Sequence, residues 1–127
     1  MTVTIKLKSA YEPAAEDDGL RILVDRLWPR GISKERLGAE YWAKDIAPSN
    51  ELRKWYAHDP EKWDEFRERY SAELDANPDG VQALRSHLKA PVVTFVYSSK
   101  EHHLNNAVAL RDYLKTSRSK AQKKPRD

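Results

Sequence analysis

Apolar and polar residues alternate over residues 2–8: Val3, Ile5 and Leu7 fall on one side, Thr4, Lys6 and Lys8 on the other. Successive strand side chains point to opposite faces, so this stretch reads as a half-buried β-strand. Residues 9–19 carry Pro13, consecutive acids and Gly19, and predict an exposed loop. Residues 20–28 are more continuously apolar, as in a strand covered on both faces. One helical turn fits residues 32–38, stopped by Gly38, and residues 41–46 fit a short strand.

Helical signals then take over. Pro48-Ser49 offers an N-cap for a helix reaching about residue 57. Asp59-Pro60 offers a second cap with proline at the first helical position. Its helix carries Trp63, Phe66, Tyr70 and Leu74, spaced for one apolar face. Asn77-Pro78 opens a third helix bearing Val81, Leu84 and Leu88. Residues 91–98 are the plainest strand, β-branched and aromatic from Val92 to Tyr97. A last helix over residues 103–115 packs Leu104, Ala107, Val108, Leu110 and Leu114.

This order predicts an α/β fold: a single domain with a small, mostly parallel sheet of about four strands flanked by helices. The helical connection between residues 46 and 91 is long enough for a parallel crossover. The domain is set at residues 1–116, and residues 117–127 are read as a basic, disordered tail.

Charge sharpens that division. The net charge of +3 is uneven, because residues 115–127 hold six basic residues and one acid and so carry +5. The other 114 residues carry −2, so the basic character belongs to the tail. Such a tail can make weak contact with nucleic acid. There is no cysteine, which excludes disulfides and thiolate chemistry and fits a reducing cytoplasm. The N-terminus alternates where a signal peptide would be apolar, and no apolar run approaches a membrane span, so no membrane partner is expected.

In open α/β sheets, ligands collect beyond the carboxyl ends of the strands. Three predicted strands run into clusters of charged and hydrogen-bonding residues: Asp25-Arg26-Leu27-Trp28-Pro29-Arg30-Gly31, Lys44-Asp45-Ile46-Ala47-Pro48-Ser49, and Ser98-Ser99-Lys100-Glu101-His102-His103. If the strands are parallel, these clusters share one mouth. The expected pocket is therefore polar and suited to a small anionic ligand. Asp25, Asp45 and Lys100 are the candidate catalytic residues. Arg26, Trp28, Arg30, Lys44, Ser49, Arg53 and Asn105 are the candidate binding residues.

Proline after Trp28 and glycine at residue 31 stiffen the first cluster, so Arg30 can be aimed at a phosphate or carboxylate. The alternative is a buried Asp–Arg pair that locks the turn. The free N–H groups of the helix after Ser49 could receive an anion, although Glu51 in its first turn also serves that dipole. His58 beside Asp59 suggests general-base chemistry, but Asp59 already has a capping task. Without cysteine or a His-x-x-x-His pair, a structural zinc site is not expected; a transient metal on Asp25, Asp45 and a histidine is the remaining metal option. The scattered glycines form no phosphate loop or dinucleotide fingerprint, so no cofactor is expected. An enzyme acting on a phosphorylated or nucleotide-like molecule, a nucleic-acid module stacking bases on Trp28, Trp42 or Trp55, and an interaction protein with a purely structural motif all fit these residues.

Val24-Asp25-Arg26-Leu27-Trp28-Pro29-Arg30-Gly31, Ala47-Pro48-Ser49-x-Glu51-Leu52-Arg53-Lys54 and Tyr97-Ser98-x-Lys100 closely resemble the YeaO-like bacterial proteins, a branch of the domain-of-unknown-function 488 superfamily. The similarity spans roughly residues 3–114. It implies a small cytosolic α/β domain and supplies no established reaction. Some relatives carry a methyltransferase label, which the glycine pattern here does not support. The chain departs from the family pattern at Leu104, where relatives carry a polar residue, while Asn105 matches. If that polar position is catalytic, activity here is impaired unless His102 or His103 substitutes.

Overall fold

The structure, a computed structural model, describes residues 3–57 and 59–123. Four strands, β1 (Thr4–Ser9), β2 (Leu20–Leu23), β3 (Tyr41–Trp42) and β4 (Val92–Tyr97), form one sheet in the order β1-β4-β2-β3. Every pairing is parallel. The sheet and its flanking helices make the α/β fold read from the sequence. β4 lies between β1 and β2, and Phe95 stands in register with Leu7 on one side and Ile22 on the other. A strand covered on both faces is apolar nearly throughout, which is why Val92–Tyr97 lacks alternation, and its one polar side chain, Thr94, is hydrogen-bonded.

Five helices surround the sheet: α1 (Lys34–Leu37), α2 (Asn50–Tyr56), α3 (Trp63–Asp75), α4 (Pro78–Arg85) and α5 (Asn106–Lys123). Their starts follow local chemistry. Ser33, Ser49 and Asn77 accept hydrogen bonds from the backbone N–H of Arg36, Leu52 and Gly80. Gly38, in the left-handed conformation at φ 63°, ends α1. α5 begins at Asn106, three residues later than the apolar pattern indicated, because Asn105 Oδ1 caps the Val108 N–H. Its backbone then continues to Lys123.

Two strands are shorter than expected. β2 leaves the ladder after Leu23, although the Val24 N–H still donates to the Val96 carbonyl. β3 has a single neighbour and keeps only Tyr41–Trp42 before Lys44–Ile46 tightens into a 3-10 turn. The loop at residues 9–19 also holds a 3-10 turn, Glu16–Asp18, whose last residue is buried.

The chain moves from β1 past β4 to β2 and then β3, with α1 covering one face, and returns to β4 through α2, α3 and α4 on the other. Reversal of direction with a change of face is what right-handed parallel crossovers require. The helix-covered core joins Ile22, Val24, Val93, Phe95 and Tyr97 to Tyr70, Leu74, Leu84, Leu110 and Leu114. A thinner cluster of Ala10, Leu23, Ile32, Leu37 and Val96 lies on the opposite face, edged by Trp28 and Trp42.

A buried ion pair anchors that thinner layer. Arg21 Nη1 lies 2.6 Å from Asp18 Oδ2, and both side chains are about 95% buried by their 4% and 5% exposures. Lys8 Nζ and the Ala15 N–H also donate to this carboxylate, and Arg21 Nε donates to the Leu37 carbonyl. The Asp18 carbonyl accepts from Thr94 Oγ1 on β4. Next to it, Gly19 adopts φ 65°, and a Cβ there would lie 2.1 Å from the Val92 carbonyl oxygen. Only glycine lets the chain enter β2 this close to β4. No helix among the described residues is long and apolar enough to cross a membrane.

Burial alone would raise the Asp18 pKa, but the Ala15 N–H, Lys8 and Arg21 outweigh it and hold the carboxyl below its ordinary value. Folded Asp18 thus binds a proton less readily than unfolded Asp18. Its stabilisation is present above the unfolded carboxylate pKa of about 3.9 and is lost as pH falls through the lower folded value. Asp18→Ala should cost about 3–5 kcal/mol in urea unfolding at neutral pH, because Arg21 is left buried without its partner. The penalty should shrink as the pH is lowered through the acid range.

Candidate functional site

β2 and β4 are neighbours, yet the chain leaves them toward opposite faces of the sheet. After β2 it passes to α1 on the thin layer, and after β4 to α5 on the helix-covered core. A crevice forms between strand ends where successive connections diverge in this way. A cavity of about 160 Å³ occupies that position. Asp25, Arg26 and Leu27 line it from the end of β2, Ser98 and Ser99 from the end of β4, and Asn105 and Asn106 from the start of α5. Pro48, Arg53 and Tyr56 reach it from α2 and its lead-in, and Phe66 from α3.

Asp25 is tied on all sides. Its Oδ2 accepts from the Ser98 N–H at 2.8 Å and Ser98 Oγ at 2.6 Å, and its Oδ1 accepts from Asn106 Nδ2 at 3.1 Å. Asn106 Nδ2 also donates to the Val24 carbonyl, and Trp42 Nε1 donates to the Asp25 carbonyl. One carboxylate therefore joins the ends of two strands to the first residue of α5.

Arg26 is held differently. Its Nε and Nη2 donate to the carbonyls of Pro48 and Ala47 at 3.1 and 2.9 Å. No carboxylate among the described residues lies within salt-bridge distance of it. Its guanidinium is fixed in place by neutral groups, without a direct carboxylate partner, at the cavity wall. Arg53, exposed on α2, adds a second guanidinium whose described contact is with Asn50 Oδ1.

Four predicted site residues thus share the cavity: Asp25, Arg26, Arg53 and Asn105. The other six do not line it. Trp28 Nε1 donates to the Ile32 carbonyl, and its ring meets Trp42 edge-on at 5.3 Å. Arg30 is exposed, and its carbonyl accepts from Tyr11 Oη. The anticipated Asp25–Arg30 lock is absent, and Ser98 and Asn106 are the partners that Asp25 uses. Lys44 rests over the Trp42 ring at 4.8 Å, while Asp45 and Lys100 are exposed.

Ser49 caps α2 and gives both its N–H and its hydroxyl to Glu73, at 2.9 and 2.6 Å. A carboxylate of the chain itself thus sits where an external anion was expected. Trp55 carries Lys62 and Arg69 over its ring at 5.1 and 4.3 Å, so this proposed stacking surface is already occupied. His58 lies outside the described residues. Asp25 and Asp45 do not share the cavity, and no group of three or more His, Asp or Glu among the described residues could hold a metal ion.

Several lining residues were not singled out from the sequence. Ser98 and Ser99 stood in the third cluster, but the contacts of Ser98 and Asn106 with Asp25 span 73 and 81 residues of the chain. Phe66 was read only as core. The Tyr56 and Phe66 rings stack at 4.4 Å and form an apolar wall, and Tyr56 Oη donates to the Leu104 carbonyl. Burial, followed by the charges of Glu101 and Asp59, raises the Tyr56 pKa and keeps the phenol protonated. Glu101 accepts from the N–H groups of His103 and Leu104, which lower its pKa and organise the approach to α5. His102 Nδ1 contacts Tyr97 Oη at 2.9 Å.

Asp25→Ala should lower unfolding free energy by about 1–3 kcal/mol, because the Ser98 N–H and Asn106 amide lose their acceptor. Urea titration checks this. Lys100→Ala, at an exposed site, should stay within about 0.5 kcal/mol of the parent.

Comparison with known proteins places this geometry in a family. Residues 4–127 match the family model described as the inactive DUF488-N3 subclade. The chain is 42% identical over 114 residues to the Escherichia coli K12 protein named uncharacterized protein YeaO, covering 90% of this chain and 99% of that one. It is 41% identical over 110 residues to uncharacterized protein Mb3100c of Mycobacterium bovis, covering 87% of this chain and 92% of the relative. The Mycobacterium tuberculosis H37Rv protein Rv3073c matches with the same identity and coverage. No solved structure matches. With its motifs matched along nearly the whole fold, the chain belongs to the YeaO-like DUF488 family.

Proposed function

We propose that the cleft between the carboxyl ends of β2 and β4 binds a small anionic ligand and does not turn it over. The observation that carries this is Arg26, whose guanidinium is fixed by two backbone carbonyls and has no carboxylate partner at the cavity wall. A positive charge positioned without its counterion costs less to pair with a ligand, because little ordering remains to be done. Arg53 adds to the positive field. Two guanidiniums suit carboxylate or phosphate groups, which accept paired N–H donors.

Binding is favoured over catalysis by the state of Asp25. It lines the cleft, and three hydrogen bonds from Ser98 and Asn106 commit it to holding the strand ends together. A general base must be free to reach the proton it takes. The matched subclade's description as inactive agrees with a binding cleft. A chain without cysteine suits a cytoplasmic setting for this role.

The test is thermal unfolding with inorganic phosphate or acetate, against chloride at equal ionic strength. A ligand at about 100 times its Kd should add about 2.7 kcal/mol and raise Tm by several degrees. Arg53→Ala should keep the parent Tm and lose most of the shift. Arg26→Lys should reduce the shift by removing the planar fork. Failure of both anions to raise the parent Tm beyond chloride would exclude the cleft as an anion site.

A further inference from the structure

The cleft has a second character besides charge. Tyr56 and Phe66, stacked at 4.4 Å, form its inner wall, and Pro48 continues that apolar surface. At the mouth stands Leu27, 59% exposed and one of two large hydrophobic side chains left open among the described residues. Arg26 lines the same cavity, so an apolar lip and a fixed cation border one cleft. An exposed leucine contributes nothing to the core, but over an apolar cavity it can cover a bound ring.

Size narrows the occupant further. The cavity measures about 160 Å³. An apolar cavity of about 150 Å³ takes up one benzene-sized molecule, whereas drug-sized ligands fill roughly 300–1,000 Å³. One ring matches that volume.

We infer that the ligand is a single-ring aromatic acid, its ring against Tyr56 and Phe66 beneath Leu27 and its anionic group on Arg26 and Arg53. This rests on the anion-binding role proposed above and adds the chemical class of the ligand. The charged group accounts for the two guanidiniums. The ring accounts for the apolar wall and the exposed lip, which a bare inorganic anion would leave unused.

NMR titration of the full chain with benzoate, acetate, phenyl phosphate, inorganic phosphate and adenosine monophosphate tests the assignment. Benzoate should bind about tenfold or more tightly than acetate, and phenyl phosphate should exceed phosphate by a similar factor, because only the aryl ligands bury a ring. Adenosine monophosphate should gain nothing over phosphate. Leu27→Ser should keep the parent Tm and cut the preference for benzoate over acetate severalfold.

Equal affinities for benzoate and acetate would overturn the aromatic assignment and leave the anion-binding role standing. Adenosine monophosphate as the tightest ligand would overturn the single-ring limit. A benzoate preference unchanged in Leu27→Ser would overturn the placement of the ring. Absence of binding by every anion would overturn the anion-binding role and this inference together.

Discussion

The carboxylate of Asp25 is the contact on which the functional end of the molecule depends. Two parallel strands send their chains to opposite faces of the sheet, and such a divergence opens unless something bridges it. Asp25 makes the bridge by accepting from Ser98 at the end of β4 and from Asn106 at the start of α5. Hydrogen bonds to an ionised carboxylate are stronger than neutral ones, so one side chain can hold three segments. Arg26 repeats the operation toward the other wall by fixing the Ala47 and Pro48 carbonyls ahead of α2. Consecutive residues therefore tie both sides of the cleft.

Two Asp–Arg combinations in this chain show how partner choice separates structure from function. Asp18 and Arg21 neutralise each other in the thin layer, where burial makes an unpaired charge costly. Asp25 and Arg26 are adjacent in sequence but do not pair, and each is satisfied mainly by uncharged groups. The first pair spends its charges on the fold. The second leaves a guanidinium beside a cavity without a direct carboxylate partner.

Much of the scaffold was legible from short stretches of chain. Hydrophobic periodicity gave the four strands and the helices, and Ser33, Ser49, Asn77 and Asn105 act as caps through bonds spanning three residues. Two strand boundaries moved. β3 stops at Trp42 because Lys44–Ile46 tightens into a 3-10 turn, and β2 leaves the ladder after Leu23, where its pairing with Val96 of β4 ends. Asp18 looked like an exposed loop acid; Arg21 is only three residues away, but burial of the pair depends on the distant Thr94 and Leu37.

Sequence by itself determined that strand ends would carry the polar chemistry, and it named Asp25, Arg26, Arg53 and Asn105 among the residues now lining one cavity. It could not separate them from Trp28, Arg30, Lys44, Asp45, Ser49 and Lys100, which lie elsewhere. Local cues report only what happens within a few residues, whereas a cleft is built by segments far apart in the chain. Only the strand order β1-β4-β2-β3 brings Asp25 to Ser98, and only that contact leaves Arg26 beside the Tyr56–Phe66 wall. The charges were written in the chain; which of them would be spent on partners, and which left facing a cavity, was decided by packing.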